Sequence, residues 1–329
     1  MSESLSSESA SIRKRTTETG PANQDNVVRS LIWFEDGSII IQATSTQFRV
    51  HKSVLSRNSR FFRDLFTVPQ PKNEPTIEGC AIVHVADDPD DWQHVLEILY
   101  DNVKAYKSTR VVSLPMISGM LRLGRKYELD HLREEAIERL REDLPPTLIL
   151  WDSQFGPNNK RTRPFTYEIF DLIDVLLDSG VQSLLPVAYY TCLSQYSLEQ
   201  ILEGLALADR PLLNLPLQAK ISLALGRDAL SRAITYSLDW LKENSLEGCS
   251  NRPSCTIART LYLESAIRYW HAVLLFRPLG WAVWHNGHTI FCASCAQRVA
   301  KKIEASRQKV WEELPVYFRL PKWDDLKDD

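Results

Sequence analysis

No stretch of this sequence approaches the ~20 consecutive apolar residues that a membrane-spanning helix needs. Neither sign of charge prevails: 39 Lys and Arg face 42 Asp and Glu, a formal net charge of −3. That balance disfavours a chain built mainly to coat nucleic acid or an anionic bilayer. The opening MSESLSSESASIRKRTTETG lacks the apolar centre of a secretory signal, so the expected location is intracellular, cytoplasmic or nuclear. Cysteine is sparse, six residues in 329, and in a reducing compartment these read as core residues or metal ligands before disulfides. Familiar catalytic motifs are missing too: no G-x-G-x-x-G, no Walker lysine loop, no G-x-S-x-G and no H-E-x-x-H. The expectation is a non-enzyme.

What is present is an ordinary globular composition, 44% hydrophobic and 25% charged, able to bury a real core. Residues 1–25 are almost without apolar side chains and read as a disordered tail. Arg13-Lys14-Arg15 within it reads as a solvated cluster, too short for an import signal. From Leu31 the pattern is β-rich. Leu31-Ile32-Trp33-Phe34 and Ile39-Ile40-Ile41 flank Asp36-Gly37, a hairpin signal resting on φ > 0 at the glycine. A third strand follows at Gln47–Val50, then helices begin near Val54 and at Ser59, a candidate N-cap. Gln70–Gly79 reads as a loop and Ala81–Val85 as a strand.

Helical spacing follows. Trp92, Val95, Leu96 and Leu99 form one stripe after Asp87-Asp88-Pro89. Asp87, Asp88, Asp90 and Asp91 read as helix-start carboxylates favoured by the macrodipole, not as paired acid–base groups. Ser113 and Asp130 are candidate caps for two more helices, the second with Leu132, Ala136 and Leu140 inward and Arg133 among the solvent-face residues. Pro145-Pro146 ends it. Residues 146–164 read as a linker, and the rest as nearly all helical. Stripes are expected at Ile169-Leu172-Ile173-Leu176, at Ile201-Leu202-Leu205 behind a Ser197/Gln200 capping box, at Ile221-Ala224-Leu225, and loosely at Ala233-Tyr236-Leu238-Leu241. The fold class is α+β, with short strands and a helical cluster followed by an all-α region. The expected units are 26–145, 165–248 and a Cys-containing subdomain over 249–329.

The segment from Phe48 to Phe66 resembles the BTB/POZ signature, F-x-x-H-(K/R)-x-V-L-x-x-x-S-x-x-F with a further aromatic four residues on. Phe48, His51, Val54, Leu55, Ser59, Phe62 and Phe66 fill its fixed positions. The strand near Ile82–Val85, the helix ending Ile98-Leu99-Tyr100 and the stretch Leu123–Leu129 follow in the order that the resemblance implies. The helical remainder, with Trp311-Glu312-Glu313-Leu314-Pro315 and Leu320-Pro321-Lys322-Trp323, is similar to the large group of fungal BTB proteins. The signature residues read as structural: His51 at a strand-to-helix turn bridging two backbone groups, Ser59 capping, Phe62 and Phe66 packing one helix face on the sheet. The resemblance implies protein–protein association by a scaffold or adaptor: a homodimer or a seated partner, possible substrate recruitment to a cullin-type ubiquitin ligase, or transcriptional co-regulation. Val68–Gly79 contains no clear hydrophobic-x-Glu element of the cullin-binding members.

Cys80 and Cys192 are isolated in apolar surroundings and read as small core residues. The other four pair as Cys249-x5-Cys255 and Cys292-Ala293-Ser294-Cys295. Four thiolates match a tetrahedral structural zinc site, and Cys-x2-Cys is a standard half-site. The second pair opens an apolar stripe (Ala296, Val299, Ile303, Val310), and a helix N-terminus favours thiolate. Against zinc stand the x5 spacing and the 36 residues (256–291) between pairs. A structural zinc and four ordinary reduced thiols both remain open. His271, His285 and His288 are spare candidate ligands, and Tyr269, Trp270, Phe276, Trp281 and Trp284 are expected to cover a small core nearby.

Overall fold

Ile39-Ile40-Ile41 is apolar on both sides of its strand because both faces of that strand are covered. A computed structural model describes residues 27–69, 75–107, 112–155, 168–207, 211–237, 239–242, 248–268 and 291–329. In it β2 (Ile39–Ala43) lies at the centre of a five-stranded mixed sheet ordered β1-β3-β2-β5-β4. β3 (Thr46–Val50) pairs antiparallel with β2, and β5 (Cys80–Val85) pairs parallel with it. β1 (Val28–Trp33) runs parallel to β3 on one edge, and β4 (Thr76–Ile77) closes the other. The short β4 falls inside the stretch that reads as a loop.

The hairpin expected across Asp36-Gly37 does not form. β1 and β2 are not neighbours, and the hairpin lies between β2 and β3, with Thr44 at φ 48° in its turn. Turn chemistry marks a reversal of the chain but not which strand lies alongside. Gly37 is not left-handed; it is needed for space, since a Cβ there would stand 2.8 Å from the Arg49 Cγ.

Helices α1 (Lys52–Asn58) and α2 (Arg60–Leu65) follow the sheet, and α3 (Pro89–Lys107), α4 (Leu114–Lys126) and α5 (Asp130–Asp143) follow β5. The expected stripes are buried: Trp92, Val95 and Leu96 on α3, Ile117, Met120 and Leu121 on α4, Leu132, Ala136 and Leu140 on α5. Leu99 is only partly covered. Ser113 caps α4 by accepting from the Met116 N–H at 3.4 Å. Asp130 is not a cap. Leu129 holds that position without a side-chain bond, and Asp130 lies in the first turn, where its charge favours the dipole. Arg133 also departs from the solvent face, donating to the backbone oxygens of Asp328 (2.9 Å), Ser179 (3.4 Å) and Asp329.

Part of the expected linker is core. α6 (Leu148–Phe155) buries Leu148, Trp151 and Phe155. Then come α7 (Ile169–Asp178), α8 (Leu185–Gln195), α9 (Leu198–Glu203) and α10 (Leu217–Ser237), followed by a 3-10 turn at Asp239–Lys242. α11 (Arg252–Arg268), α12 (Ala293–Glu312), the short α13 (Leu314–Tyr317) and a 3-10 turn at Trp323–Asp325 complete the chain. The Ser197/Gln200 capping box is present, but α9 stops at Glu203, Leu202 is exposed and Leu205 bridges to Leu213.

α10 turns the opposite face to the core from the one its large residues suggest. Ile221 and Leu225 are exposed, while Ala219, Ser222, Leu223, Gly226 and Leu230 are buried. At Gly226 the inward position has no room for a side chain, because Phe318, fully buried, lies against it. Ala233-Tyr236 belongs to the same helix, with Tyr236 exposed. The last residues do not belong to the cysteine subdomain. Val310, Trp311, Leu314 and Phe318 join one continuous core that begins at β2 and β3. Trp311 donates to the Pro146 carbonyl at 3.1 Å and stacks on Trp323 at 6.1 Å. Cys255, Ala258, Phe291, Cys295 and Val299 form a separate small cluster. The tail 1–25, Leu238, His271, His285, His288 and the aromatics from Tyr269 to Trp284 lie outside the described residues. No described helix is long and apolar enough to cross a membrane.

Candidate functional site

The Phe48–Phe66 segment ties sheet to helices. Phe48, Leu55 and Phe62 are fully buried. Ser59, 1% exposed, ends α1 and caps α2. Its Oγ accepts from the Phe62 N–H at 3.0 Å and donates to the Tyr127 carbonyl at 2.6 Å, 68 residues away. Phe62 stacks on Tyr127 at 5.2 Å and meets Trp92 edge-on at 5.9 Å, so the signature serine and phenylalanine fasten α2 to α3 and α4. Phe66 is only half-buried, 5.8 Å from Phe62.

His51 bridges side chains, not two backbone groups. Its Nδ1 lies 3.0 Å from the Tyr100 hydroxyl and its Nε2 3.2 Å from Asp36. The Tyr100 hydroxyl also accepts from the His51 N–H at 2.8 Å. The hydrogen bond from His51 holds the Asp36 carboxyl below the usual carboxylate range, and burial pushes the Tyr100 phenol up. Ser59 is sealed and fully engaged, so His51 and Ser59 do not share a reactive cleft.

The acidic residues around Pro89 take three different roles. Asp88 alone acts as a cap, accepting from the Asp90 N–H at 2.9 Å. Asp87 accepts from Lys126 at 2.6 Å, from the Trp92 indole at 3.4 Å and from the Tyr127 hydroxyl. Burial first, then that bond, drives the Tyr127 phenol above its normal range. Asp91 faces Arg122 at 3.5 Å, and burial raises its carboxyl despite the guanidinium. Sequence spacing alone could not separate these roles, because Arg122, Lys126 and Tyr127 lie 31 to 40 residues on.

Among the described residues, β1 and α10 each present an open apolar surface. No residue of β1 is buried; Leu31 is 99% exposed and Val28 59%, on an edge strand. Beyond its pairing with β3, β1 is held by Ile32 packed against the core and by the ion pair of Arg29 with Glu78 at 2.7 Å. On α10, Leu217, Ile221 and Leu225 recur every four residues and all face solvent. The sequence expectation has Ile221, Ala224 and Leu225 facing the core; Ile221 and Leu225 face solvent instead, in line with Leu217.

The four paired cysteines converge. The Sγ atoms of Cys249, Cys255, Cys292 and Cys295 all lie within 4.8 Å of one another. Cys249 follows Gly248, at φ 66°, in the turn before α11, and Cys255 lies in that helix's first turn. Cys292 is the N-cap of α12 and Cys295 lies in its first turn. Backbone N–H bonds from Cys295 and then Ser250 bring the Cys292 thiol down to about 5. Burial raises Cys255, and raises Cys295 to about 12. Cys80 and Cys192 are buried elsewhere, as the sequence reading has them, and burial pushes the Cys192 thiol up.

The BTB/POZ domain model matches residues 34–144. No curated protein matches the chain.

Proposed function

With residues 34–144 a BTB/POZ domain, we propose that the chain is a protein-interaction adaptor that self-associates through β1 and carries a second partner on α10. The observation that carries this reading is β1: an edge strand without one buried residue, displaying Leu31 and Val28. An open apolar edge invites pairing with another chain, and a second copy offers the same strand in a self-complementary, two-fold arrangement. The α10 stripe supplies the second face. Leu217, Ile221 and Leu225 span about 12 Å along the helix, a length suited to helix-in-groove docking. Substrate recruitment to a cullin-type ubiquitin ligase is the specific form of this reading.

Sedimentation of the full chain tests it. The expected result is a dimer that Leu31→Asp converts to monomer with thermal stability unchanged, since Leu31 contacts little within its own chain. A monomeric parent, or a dimer unaffected by Leu31→Asp, refutes association through β1. For the second face, Ile221→Asp should abolish partner capture from the native cell while leaving the dimer intact. Co-purification of a cullin with the parent, lost on disrupting the BTB surface, supports the ligase form, and its absence argues against it.

A further inference from the structure

We propose that Cys249, Cys255, Cys292 and Cys295 hold one structural Zn²⁺ ion as four thiolates, and that this ion fastens α11 to α12. It is independent of the adaptor reading. The first support is distance. A tetrahedral ion about 2.3 Å from each sulfur sets sulfur–sulfur edges of about 3.8 Å. Cys249 and Cys292 stand 3.8 Å apart, and all four sulfurs fall within 4.8 Å. A disulfide would need about 2.05 Å, and all four cysteines are free thiols.

The second support is chemistry. Among the described residues the donor set is all sulfur, with no carboxylate or imidazole in the group. Soft thiolates favour zinc over magnesium or calcium. Four protein ligands close the coordination shell and leave no position for a reacting water, which makes the site structural. On binding, the thiols give up their remaining protons to solvent, and the four thiolates with one Zn²⁺ carry two net negative charges. Both helices present their N-termini to it, α11 of 17 residues and α12 of 20, and those positive dipole ends offset the charge. The Cys292 N–H donates to the Cys255 sulfur at 3.3 Å, and the Arg298 guanidinium reaches the Cys295 sulfur at 3.8 Å. Such donors orient thiolate ligands.

The third support is the setting of the ligands. Among the described residues the buried members of their cluster are Cys255, Ala258, Phe291, Cys295 and Val299, so two of the four sulfur donors sit inside the apolar contact between α11 and α12. A structural metal is a common supplement to a cluster of this kind. The awkward x5 spacing is no obstacle. Cys249 lies in the turn outside α11 and Cys255 inside its first turn, so the chain reverses between the two ligands.

The test starts from the full chain purified under reducing conditions without chelator, by elemental analysis. The expected content is one zinc per chain. Exchange with Co²⁺ should give the visible bands and thiolate charge-transfer absorption of a tetrahedral sulfur site. Neither measurement depends on a variant that has to fold. Cys292→Ser and Cys295→Ser should each lower the metal content several-fold, and Cys80→Ala should leave it at one. Chelation should raise hydrogen exchange in residues 252–268 and 293–303 and leave 39–66 unchanged. Metal-free protein that does not take up added Zn²⁺ would overturn the proposal. So would stoichiometric zinc surviving in a Cys249→Ser/Cys295→Ser double variant, or a native mass short of two hydrogens per bond, the mark of disulfides.

Discussion

Replacing Ser59 with Ala removes two hydrogen bonds through one atom, and the structure sets the size of the effect. The hydroxyl accepts from the Phe62 N–H at 3.0 Å and donates to the Tyr127 carbonyl at 2.6 Å, at a site 1% exposed. Loss of an N-cap costs about 1 kcal/mol. Withdrawing the donor from a buried carbonyl adds about 1–3 kcal/mol, because no water reaches it as a substitute. The sum is about 2–4 kcal/mol. Ser113 is the internal control: it caps α4 by one bond of 3.4 Å and is exposed, so Ser113→Ala should cost about 0.5 kcal/mol. In urea, with a slope of about 1–3 kcal/mol/M, the Ser59→Ala midpoint should fall by about 1 M or more at unchanged slope, read by circular dichroism. Hydrogen exchange should rise together in α2 and at the α4–α5 junction, since one hydroxyl joins both. If Ser59→Ala costs no more than Ser113→Ala, or if exchange rises in α2 alone, the long-range bond does not contribute as argued.

Arg307 is 3% exposed and donates to Asp152 at 2.5 Å and Glu304 at 3.1 Å. Arg307→Ala should cost about 2–3 kcal/mol, below the full penalty for a buried pair because Asp152 is partly exposed. An Arg307→Met/Asp152→Leu double variant should recover most of that loss in urea titration, and additive costs would deny the coupling. At Gly226 the usual helix preference for Ala reverses. Ala should be favoured by about 1 kcal/mol at a neutral helix site, but its Cβ would overlap the Phe318 ring, so Gly226→Ala should lower stability by about 1–3 kcal/mol; a higher melting temperature would refute this. Burial holds the Asp91 carboxyl above its usual value, with Arg122 opposing only in part. A carboxyl with a raised folded pKa favours the fold at acid pH, and that contribution is lost as pH climbs from about 4 through the folded value. Asp91→Asn should therefore be more stable than the parent at pH 7, with the gap closing toward pH 4. A gap that widens on acidification would show the ion pair to prevail over burial.

Local signals survived best where one segment carried the whole cause. Ser59 before Phe62, the Ser197/Gln200 box and the Trp92-Val95-Leu96 stripe are each written within one turn of helix, and each forms as read. The strand neighbours of β1, the partners of Asp87 and the burial of Arg133 are not local, since each depends on residues brought in from elsewhere in the chain. α10 is the sharper case. Ile221 and Leu225 of the expected stripe face solvent, while Ala219, Ser222, Leu223, Gly226 and Leu230 face inward, with Gly226 set against the Phe318 ring. Residue size on one helix cannot report the shape of the surface it meets. The cysteines show the converse: spacing alone left zinc and free thiols undecided, and only the convergence of two helix starts separates a cluster from four scattered thiols.

The two open faces are carried on one body. Ile39, Ile41 and Phe48 under the sheet and Leu223, Leu230 and Phe318 around α10 belong to a single buried cluster with no break near residue 145. Polar contacts reinforce that continuity: Arg133 on α5 grips the backbone of Asp328, whose carboxylate accepts from the Ser183 N–H and hydroxyl at 2.9 and 2.8 Å. Val181 bridges to the same residue. A partner held on α10 would then stand at a fixed distance and angle from whatever pairs with β1, in contrast to the wide range a flexible tether allows. For an adaptor the difference is functional, because effective concentration between two bound partners depends on whether the span is rigid and matched to the task. Arg133→Ala should accordingly raise hydrogen exchange around residues 179–185 while leaving the exposed residues of β1 and α10 in place, and unchanged exchange over 179–185 would deny the Asp328 contacts this role.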